Sequence, residues 1–240
     1  MPSKIRLYVD HPLAQGQTVP LSQAQASYLF NVMRLSFGAV LSVFNGTDGE
    51  WDGVVADAGK RGGTLAVTIQ TKPLQPPPDL WLLFAPLKKA RTDFVVEKAV
   101  EMGVARIQPV QTDFTNAERV RGDKMQAHAV EAAEQCGATF VPQVAEVQRL
   151  STLLDRWPEG RSLWFCDEAL VGSSTPALAA DPSPSAILIG PEGGFSDAER
   201  TRLRGLPYAI PIRLGPRILR ADTAAVAALT LWQMTHGDWR

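Results

Sequence analysis

The sequence has few of the residues that build disulfide frameworks or metal centres. Among its 240 residues there are two cysteines, Cys136 and Cys166, and three histidines, His11, His128 and His236, all far apart. Cysteines this sparse predict neither a disulfide framework nor a zinc site, and they fit a reducing cytoplasm. We therefore expect a cytoplasmic protein with no metal site.

Long hydrophobic runs and an excess of one charge are also missing. No apolar run approaches the roughly 20 residues that span a bilayer, and residues 1–6 lack the apolar core of a signal peptide. The formal net charge is −1, whereas nucleic-acid-binding proteins are usually basic. Any contact with RNA must therefore come from local patches of the surface.

A proline-rich stretch at residues 73–79 indicates a short stiff linker. Before it, a helix is predicted over residues 22–33, and three β-like runs are separated by glycine-containing turns. Residues 1–72 are therefore expected to form a small β-barrel. The three predicted strands cover residues 40–44, 51–55 and 64–69.

After the linker, apolar strand-like runs alternate with helical patterns. This alternation predicts an α/β domain with a mostly parallel sheet over residues 80–240. The capping box of Ser196 and Glu199 predicts the start of one helix. Strands are predicted at residues 80–85, 106–110, 162–166, 186–189 and 209–214, and further helices at 92–102, 121–135 and 223–234.

Two Gly-Pro loops, Gly190–Phe195 and Leu214–Arg220, each follow a predicted strand and precede a helix. In α/β proteins such loops bind anionic or nucleotide-like ligands, but a tight turn without a ligand fits the first loop equally well. The first loop has neither the spacing of a dinucleotide fingerprint nor the Lys-Ser/Thr pair of a phosphate loop. In the second loop, the apolar Ile218 and Leu219 favour a pocket for an adenine ring and a thioether, the alternative being that they pack in the core.

Four segments together resemble the 16S rRNA uracil-N3-methyltransferase family of the SPOUT superfamily. They read GPEGGFSDAE at 190–199, LGPRILRADTAA at 214–225, LKKARTDFVVEKAVEMGV at 87–104 and EAAEQCG at 131–137. The resemblance covers essentially the whole chain. It implies a C-terminal SPOUT α/β domain with a deep trefoil knot, preceded by a PUA-like β-barrel, although threaded connections are rare in proteins.

The resemblance also implies what the protein does. Members of the family are homodimers that use S-adenosylmethionine to methylate N3 of a uridine in the decoding region of the small ribosomal subunit, uridine 1498 in standard rRNA numbering. Glu192 would cap a backbone amide, contact the ribose or only stabilise its loop. The implied cofactor-binding residues are Gly190, Pro191, Glu192, Gly193, Gly194, Leu214, Gly215, Arg217, Ile218, Leu219 and Ala225.

The chemistry at uridine N3 indicates which side chains are needed. N3 carries a weakly acidic proton, so transfer needs a base or a cation that stabilises the uracil anion. Arg220 is the candidate cation, and Asp222 either orients it or takes the proton; a simple capping ion pair between them is the alternative. The family more often has glutamate at the position of Asp222, and an arginine where this chain has Ala138.

Candidate RNA-binding residues lie in both parts of the chain. Lys88, Lys89 and Arg91 follow the first strand of the α/β domain and could contact phosphates, or form a solvated charged turn. Arg6, Asn31 and Arg34 match positions typical of the family. They would either bind RNA or dock the barrel on the second domain.

Two other functions are compatible with the sequence. One is a related SPOUT enzyme that acts on tRNA or on large-subunit rRNA. The other is an RNA-binding assembly factor that keeps the fold without catalysis. Analysis of the methylated nucleoside separates the first from a uridine-N3 enzyme, and loss of cofactor binding would identify the second.

Overall fold

The computed structural model describes residues 5–59, 62–116, 120–170 and 184–239. The chain divides into two compact units, the first made of Met1–Pro76 and Ala133–Val141, the second of Pro77–Ala132 and Pro142–Arg240. The boundary between Pro76 of the first unit and Pro77 of the second therefore falls inside the proline-rich stretch.

The first unit is built on short strands with one helical segment. The helical segment begins at the capping box of Ser22 and Gln25, and it changes from α- to π-helical geometry after one turn. In chain order the elements are β1 (Arg6–Tyr8), β2 (Thr18–Leu21), α1 (Gln23–Ala26), a π-helix (Ser27–Val32), β3 (Val40–Phe44), β4 (Glu50–Ala58) and β5 (Gly63–Lys72).

The strands of the first unit form one sheet in the order β1-β3-β4-β5-β2. The pairing of β1 with β3 is parallel, and the other pairings are antiparallel. Alternate side chains point to one face, where Val43, Val55 and Leu65 pack against Leu29 of the π-helix. This cluster of buried side chains forms the core of the unit.

The segment Ala133–Val141 belongs to the first unit, whereas the predicted ranges place it in the second domain. Hydrogen bonds account for this: the amide of Tyr8 donates to Glu134 Oε1 at 2.7 Å, and the amide of Gln75 donates to Thr139 Oγ1 at 2.9 Å. The first unit is therefore made from two separate stretches of the chain.

The second unit alternates strands and helices, as the sequence predicts. Its elements are β6 (Leu80–Phe84), α2 (Lys89–Glu101), β7 (Arg106–Gln111), α3 (Gly122–Cys136, whose last four residues belong to the first unit), β8 (Gln143–Val144), β9 (Gln148–Arg149), α4 (Leu150–Leu154), β10 (Ser162–Cys166), a 3-10 turn (Glu168–Leu170), β11 (Ser185–Ile189), α5 (Asp197–Gly205), β12 (Ala209–Ile212) and α6 (Ala221–Thr235).

The sheet of the second unit has the order β12-β10-β11-β6-β7-β8, with β9 also paired to β7. Every pairing described in it is parallel, which confirms the predicted parallel sheet. All five residues of β11 are buried, as expected for a central strand covered on both faces. Because neighbouring strands run the same way, the loops after β6, β10, β11 and β12 leave from one edge of the sheet.

Candidate functional site

The first Gly-Pro loop leaves the carboxyl end of β11 and makes a tight turn. The amide of Gly194 donates to the carbonyl oxygen of Pro191 at 2.9 Å, and Gly194 has φ +69°, a conformation that favours glycine. Helix α5 then begins at the predicted capping box, where the side chains of Ser196 and Glu199 each accept the other's backbone amide. The loop is therefore fixed at both ends.

The second Gly-Pro loop leaves β12 and leads into α6. Gly215 has φ +90°, which allows the sharp turn that follows the strand. Arg220 precedes the helix in an extended conformation and makes no side-chain cap. Ile218 is 75% exposed, so it does not pack in the core, which was the alternative for this residue.

The two loops line the same cavity, whose volume is about 220 Å³. Of the predicted cofactor-binding and catalytic residues, those in its wall are Gly190, Pro191, Glu192, Gly194, Leu214, Arg217, Ile218, Leu219 and Arg220. Four others, Gly193, Gly215, Asp222 and Ala225, are adjacent in sequence to the wall without lining it.

A third segment, Cys166–Glu168, also lines the cavity and was not among the predicted site residues. It follows β10, which lies between β11 and β12 in the sheet. The sequence signal was a pair of acidic residues directly after a buried apolar strand. That signal becomes informative only when the strand order is known, because the order places the end of β10 between the two Gly-Pro loops.

The carboxylates of the third segment are held by arginines of α5. Asp167 is fully buried and accepts from Arg200 Nε at 3.2 Å and from Arg204 Nη2 at 2.5 Å. Glu168 accepts from Arg200 Nη2 at 2.6 Å. A Cβ atom at Gly194 would overlap the Glu168 carboxylate. The network therefore ties the first loop, the third segment and α5 together.

The thiol of Cys166 is not suited to act as a nucleophile. Its burial, together with the negative charge of Glu168, raises the pKa of the thiol far above its usual range. The neutral thiol is a weak nucleophile. Cys166 therefore acts as a small apolar wall of the cavity, in agreement with the sequence, which gave it no catalytic role.

Arg91, at the start of α2, lies between carboxylates of the two loops. Its Nη1 atom is 3.4 Å from Glu192 Oε1, and its Nε atom is 3.7 Å from Asp222 Oδ2. Asp222 is thus paired with Arg91 rather than with Arg220, which makes no ion pair among the described residues. The same guanidinium therefore lies near one carboxylate of the first loop and one of α6. The catalytic assignment of Arg220 and Asp222 stays a prediction.

The predicted RNA-binding residues have different surroundings. Arg6 is mostly buried, and its guanidinium is 4.4 Å from the ring centre of Phe44 and donates to Glu50 and to three backbone carbonyls. Asn31 is exposed on the π-helix, and Arg34 is exposed two residues after it. This geometry gives Arg6 a structural role, whereas Asn31 and Arg34 are open to a partner. All three RNA contacts stay predictions.

Lys88 and Lys89 are exposed and line a second cavity of the same unit. Within the described ranges, no group of three or more histidine, cysteine, aspartate or glutamate side chains is arranged to hold a metal ion. None of the helices that the structure describes is long and apolar enough to cross a bilayer.

Comparison with known proteins identifies the class. Residues 75–233 match the model of the RNA methyltransferase domain, and residues 21–68 match that of the RNA methyltransferase PUA domain. The chain therefore belongs to this RNA methyltransferase family, and the resemblance found in the sequence is confirmed. The predicted fold class, a SPOUT-type α/β domain after a PUA domain, is confirmed too; the trefoil knot stays a prediction.

Particular relatives match nearly the whole chain. Ribosomal RNA small subunit methyltransferase E of Buchnera aphidicola from Schizaphis graminum is 28% identical, over 97% of each chain. The enzyme of that name from Neisseria gonorrhoeae, solved bound to S-adenosylmethionine, is 25% identical with a TM-score of 0.87, over 98% of this chain and 99% of the other. A putative methyltransferase of Legionella pneumophila, solved with the same cofactor, is 29% identical with a TM-score of 0.84, over 98% of each chain.

Proposed function

We propose that this chain transfers a methyl group from S-adenosylmethionine to N3 of a uridine in 16S rRNA, in the decoding region of the small ribosomal subunit. The observation that carries the proposal is the cavity in which both Gly-Pro loops and the segment after β10 meet. The names of the similar enzymes support rRNA of the small subunit as the substrate. Selection of N3 is inferred from the sequence resemblance.

The walls of the cavity fit this cofactor. Ile189, Ile212 and Leu219 supply apolar surface for an adenine ring and a thioether, and the glycines of the first loop leave backbone groups accessible. Glu168 and Glu192 are carboxylates that could accept hydrogen bonds from ribose hydroxyls or from an ammonium group.

Bound S-adenosylmethionine supplies an electrophilic methyl group. The side chains of the protein must make N3 of the bound uridine reactive by helping it to lose its proton. Arg220 lines the cavity, is exposed and has no carboxylate partner among the described residues. Its charge is therefore free to stabilise the uracil anion as N3 loses its proton. A guanidinium does not itself deprotonate in proteins, so Arg220 acts as a cation and not as the base.

Asp222 is the candidate to receive the proton from N3. It is the second residue of α6, and its Oδ2 atom is 3.7 Å from Arg91 Nε. The side chain is one methylene shorter than the glutamate more usual in the family. Arg91 also pairs with Glu192 of the first loop, so one guanidinium lies near both carboxylates.

We also infer that the protein works as a homodimer in the cytoplasm. Helices α2 and α6 pack together, and they leave Phe94, Leu231 and Met234 exposed. Large apolar side chains exposed on two helices that pack together favour a protein partner, and a second copy of the chain is the partner implied by the resemblance. The cytoplasmic location follows from the proposed substrate.

The experiment is methyl transfer to purified small ribosomal subunits that lack the modification, followed by analysis of the nucleosides. We expect 3-methyluridine as the product. Arg220→Ala should abolish transfer and leave the affinity for S-adenosylmethionine, measured by calorimetry, within a few-fold. A different methylated nucleoside, or transfer only to tRNA or the large subunit, would replace this proposal by a related methyltransferase. Full turnover by Arg220→Ala would remove Arg220 from the mechanism.

A further inference from the structure

The second cavity of the second unit has walls that are mainly positively charged. It has a volume of about 580 Å³ and lies between the start of α2 and the start of α3. Lys88 and Lys89 line it from one side, and Arg121 and Lys124 from the other. These two pairs are more than 30 residues apart in sequence, so only the fold brings them together.

The balance of charge at this cavity differs from that of the whole chain. Among the described residues that line it, four side chains are cationic and one, Asp93, is a carboxylate, whereas the chain as a whole has a formal net charge of −1. Asp93 pairs with Lys89 at 2.9 Å. Arg121 pairs with Asp123, and both of these side chains are largely exposed. Lys88 and Lys124 make no ion pair within the part of the chain that the structure describes. The cavity therefore has positive charge that is not neutralised internally.

The backbone adds to this field. Helix α2 has 13 residues and begins at Lys89, and Lys88 precedes it without a side-chain cap. The amino-terminal end of a helix carries a partial positive charge from its unpaired amides. The lysine side chains and the helix end therefore act on the same cavity with the same sign.

We propose that this cavity binds backbone phosphates of the RNA substrate. The inference rests on the proposed function, which makes RNA the substrate, and it extends the predicted contacts of Lys88 and Lys89 to Arg121 and Lys124. Lysine is a mobile point charge suited to phosphate oxygens, and arginine binds them in a bidentate manner.

The walls suit phosphates better than bases. The apolar part of the lining consists of Pro86, Leu87, Val120 and Met125, and no aromatic side chain is among the described lining residues. Sites for unpaired bases usually stack each base on an aromatic ring. Phosphate contacts position the RNA without reading its sequence, so this cavity orients the substrate while the first cavity acts on the uridine.

The test is the salt dependence of binding to a 16S rRNA transcript. Each phosphate contact that is lost makes the plot of log affinity against log salt shallower by about one unit. The double variant Arg121→Gln/Lys124→Gln should therefore reduce the slope by about two. The matched control, Lys98→Gln/Arg156→Gln, removes one lysine and one arginine elsewhere in the unit and should leave the slope unchanged.

The outcomes separate this inference from the proposed function. Calorimetry with S-adenosylmethionine should give the same affinity for the double variant and the wild type, since neither residue lines the first cavity. If the wild type binds RNA with the expected slopes but transfers no methyl group, the proposed function fails and the phosphate site stands. The phosphate site is wrong if the double variant has the same slope as the wild type. It is also wrong if the double variant loses binding of inorganic phosphate but binds the RNA as the wild type does.

Discussion

Replacing Arg6 by alanine distinguishes a structural role from an RNA contact. Arg6 Nε is 2.7 Å from Glu50 Oε2, and the side chains of the two residues are only 13% and 6% exposed. The guanidinium also donates to the carbonyl oxygens of Ala133, Glu134 and Ala138 at 2.5, 2.9 and 2.8 Å. All of these contacts lie within the first unit.

The expected loss of stability follows from the buried Glu50 carboxylate, which the substitution leaves without Arg6 as its partner. Removing one partner of a buried ion pair usually costs about 3–5 kcal/mol, because the other charge stays buried. Lys72 offsets part of this, since its Nζ atom is 3.3 Å from Glu50, but its side chain is 44% exposed. We therefore expect Arg6→Ala to lower the free energy of unfolding of the first unit by about 3 kcal/mol, the lower end of that range.

Urea denaturation monitored by circular dichroism gives the unfolding free energy, and filter binding gives the affinity for 16S rRNA. Arg34→Ala is the matched control, because Arg34 is an exposed arginine of the same unit and is also a predicted RNA contact. It should change stability by less than about 0.5 kcal/mol. If Arg6→Ala proved as stable as the wild type but bound RNA more weakly, the structural assignment would be wrong.

The same ion pair predicts how stability depends on pH. Burial alone would raise the pKa of Glu50, but the hydrogen bond and charge of Arg6, with help from Lys72 and Thr71, hold that pKa below its usual value. The contribution of Glu50 is therefore present at neutral pH and is lost as the pH falls through the lowered pKa. The stability difference between the wild type and Arg6→Ala should shrink below about pH 4.

Two further predictions concern the cofactor loop and the dimer. Gly194→Ala should lower the affinity for S-adenosylmethionine, measured by calorimetry, at least ten-fold, because the added Cβ atom would displace Glu168. The control Gly160→Ala should leave the affinity unchanged, since Gly160 has φ +75° and open space around it. Equal affinities in the two variants would contradict this prediction. Met234→Glu should produce monomers in sedimentation equilibrium, while Ser151→Glu, exposed on α4, should stay dimeric. A wild type that sediments as a monomer would refute the proposed homodimer.

Strong local signals in the sequence were sufficient for much of the second unit. The buried apolar run at β11 and the capping box at Ser196 were both predicted, and both are present. The short strands β1 and β2 were missed, because three or four residues give too little alternation to be recognised. The predicted helix at residues 22–33 is present but changes to π geometry, for which its sequence gives no signal.

The candidate site was predictable only in part. Both Gly-Pro loops carry their own turn residues, and residues of both line one cavity. The contribution of Asp167 and Glu168 depends on β10 lying between β11 and β12, and strand order is not encoded by local periodicity. The position of Arg91 between Glu192 and Asp222 likewise depends on how α2 meets both loops, so the sequence assigned Arg91 to RNA alone.

The split first unit has a consequence for synthesis on the ribosome. Residues up to Pro76 leave the exit tunnel well before Ala133–Val141, a delay of several seconds at roughly 5–20 residues per second. During that interval Arg6 lacks the three carbonyl acceptors it has in the finished protein. The first unit is therefore completed only after α2 and β7 have been made, which couples its maturation to translation of part of the second unit.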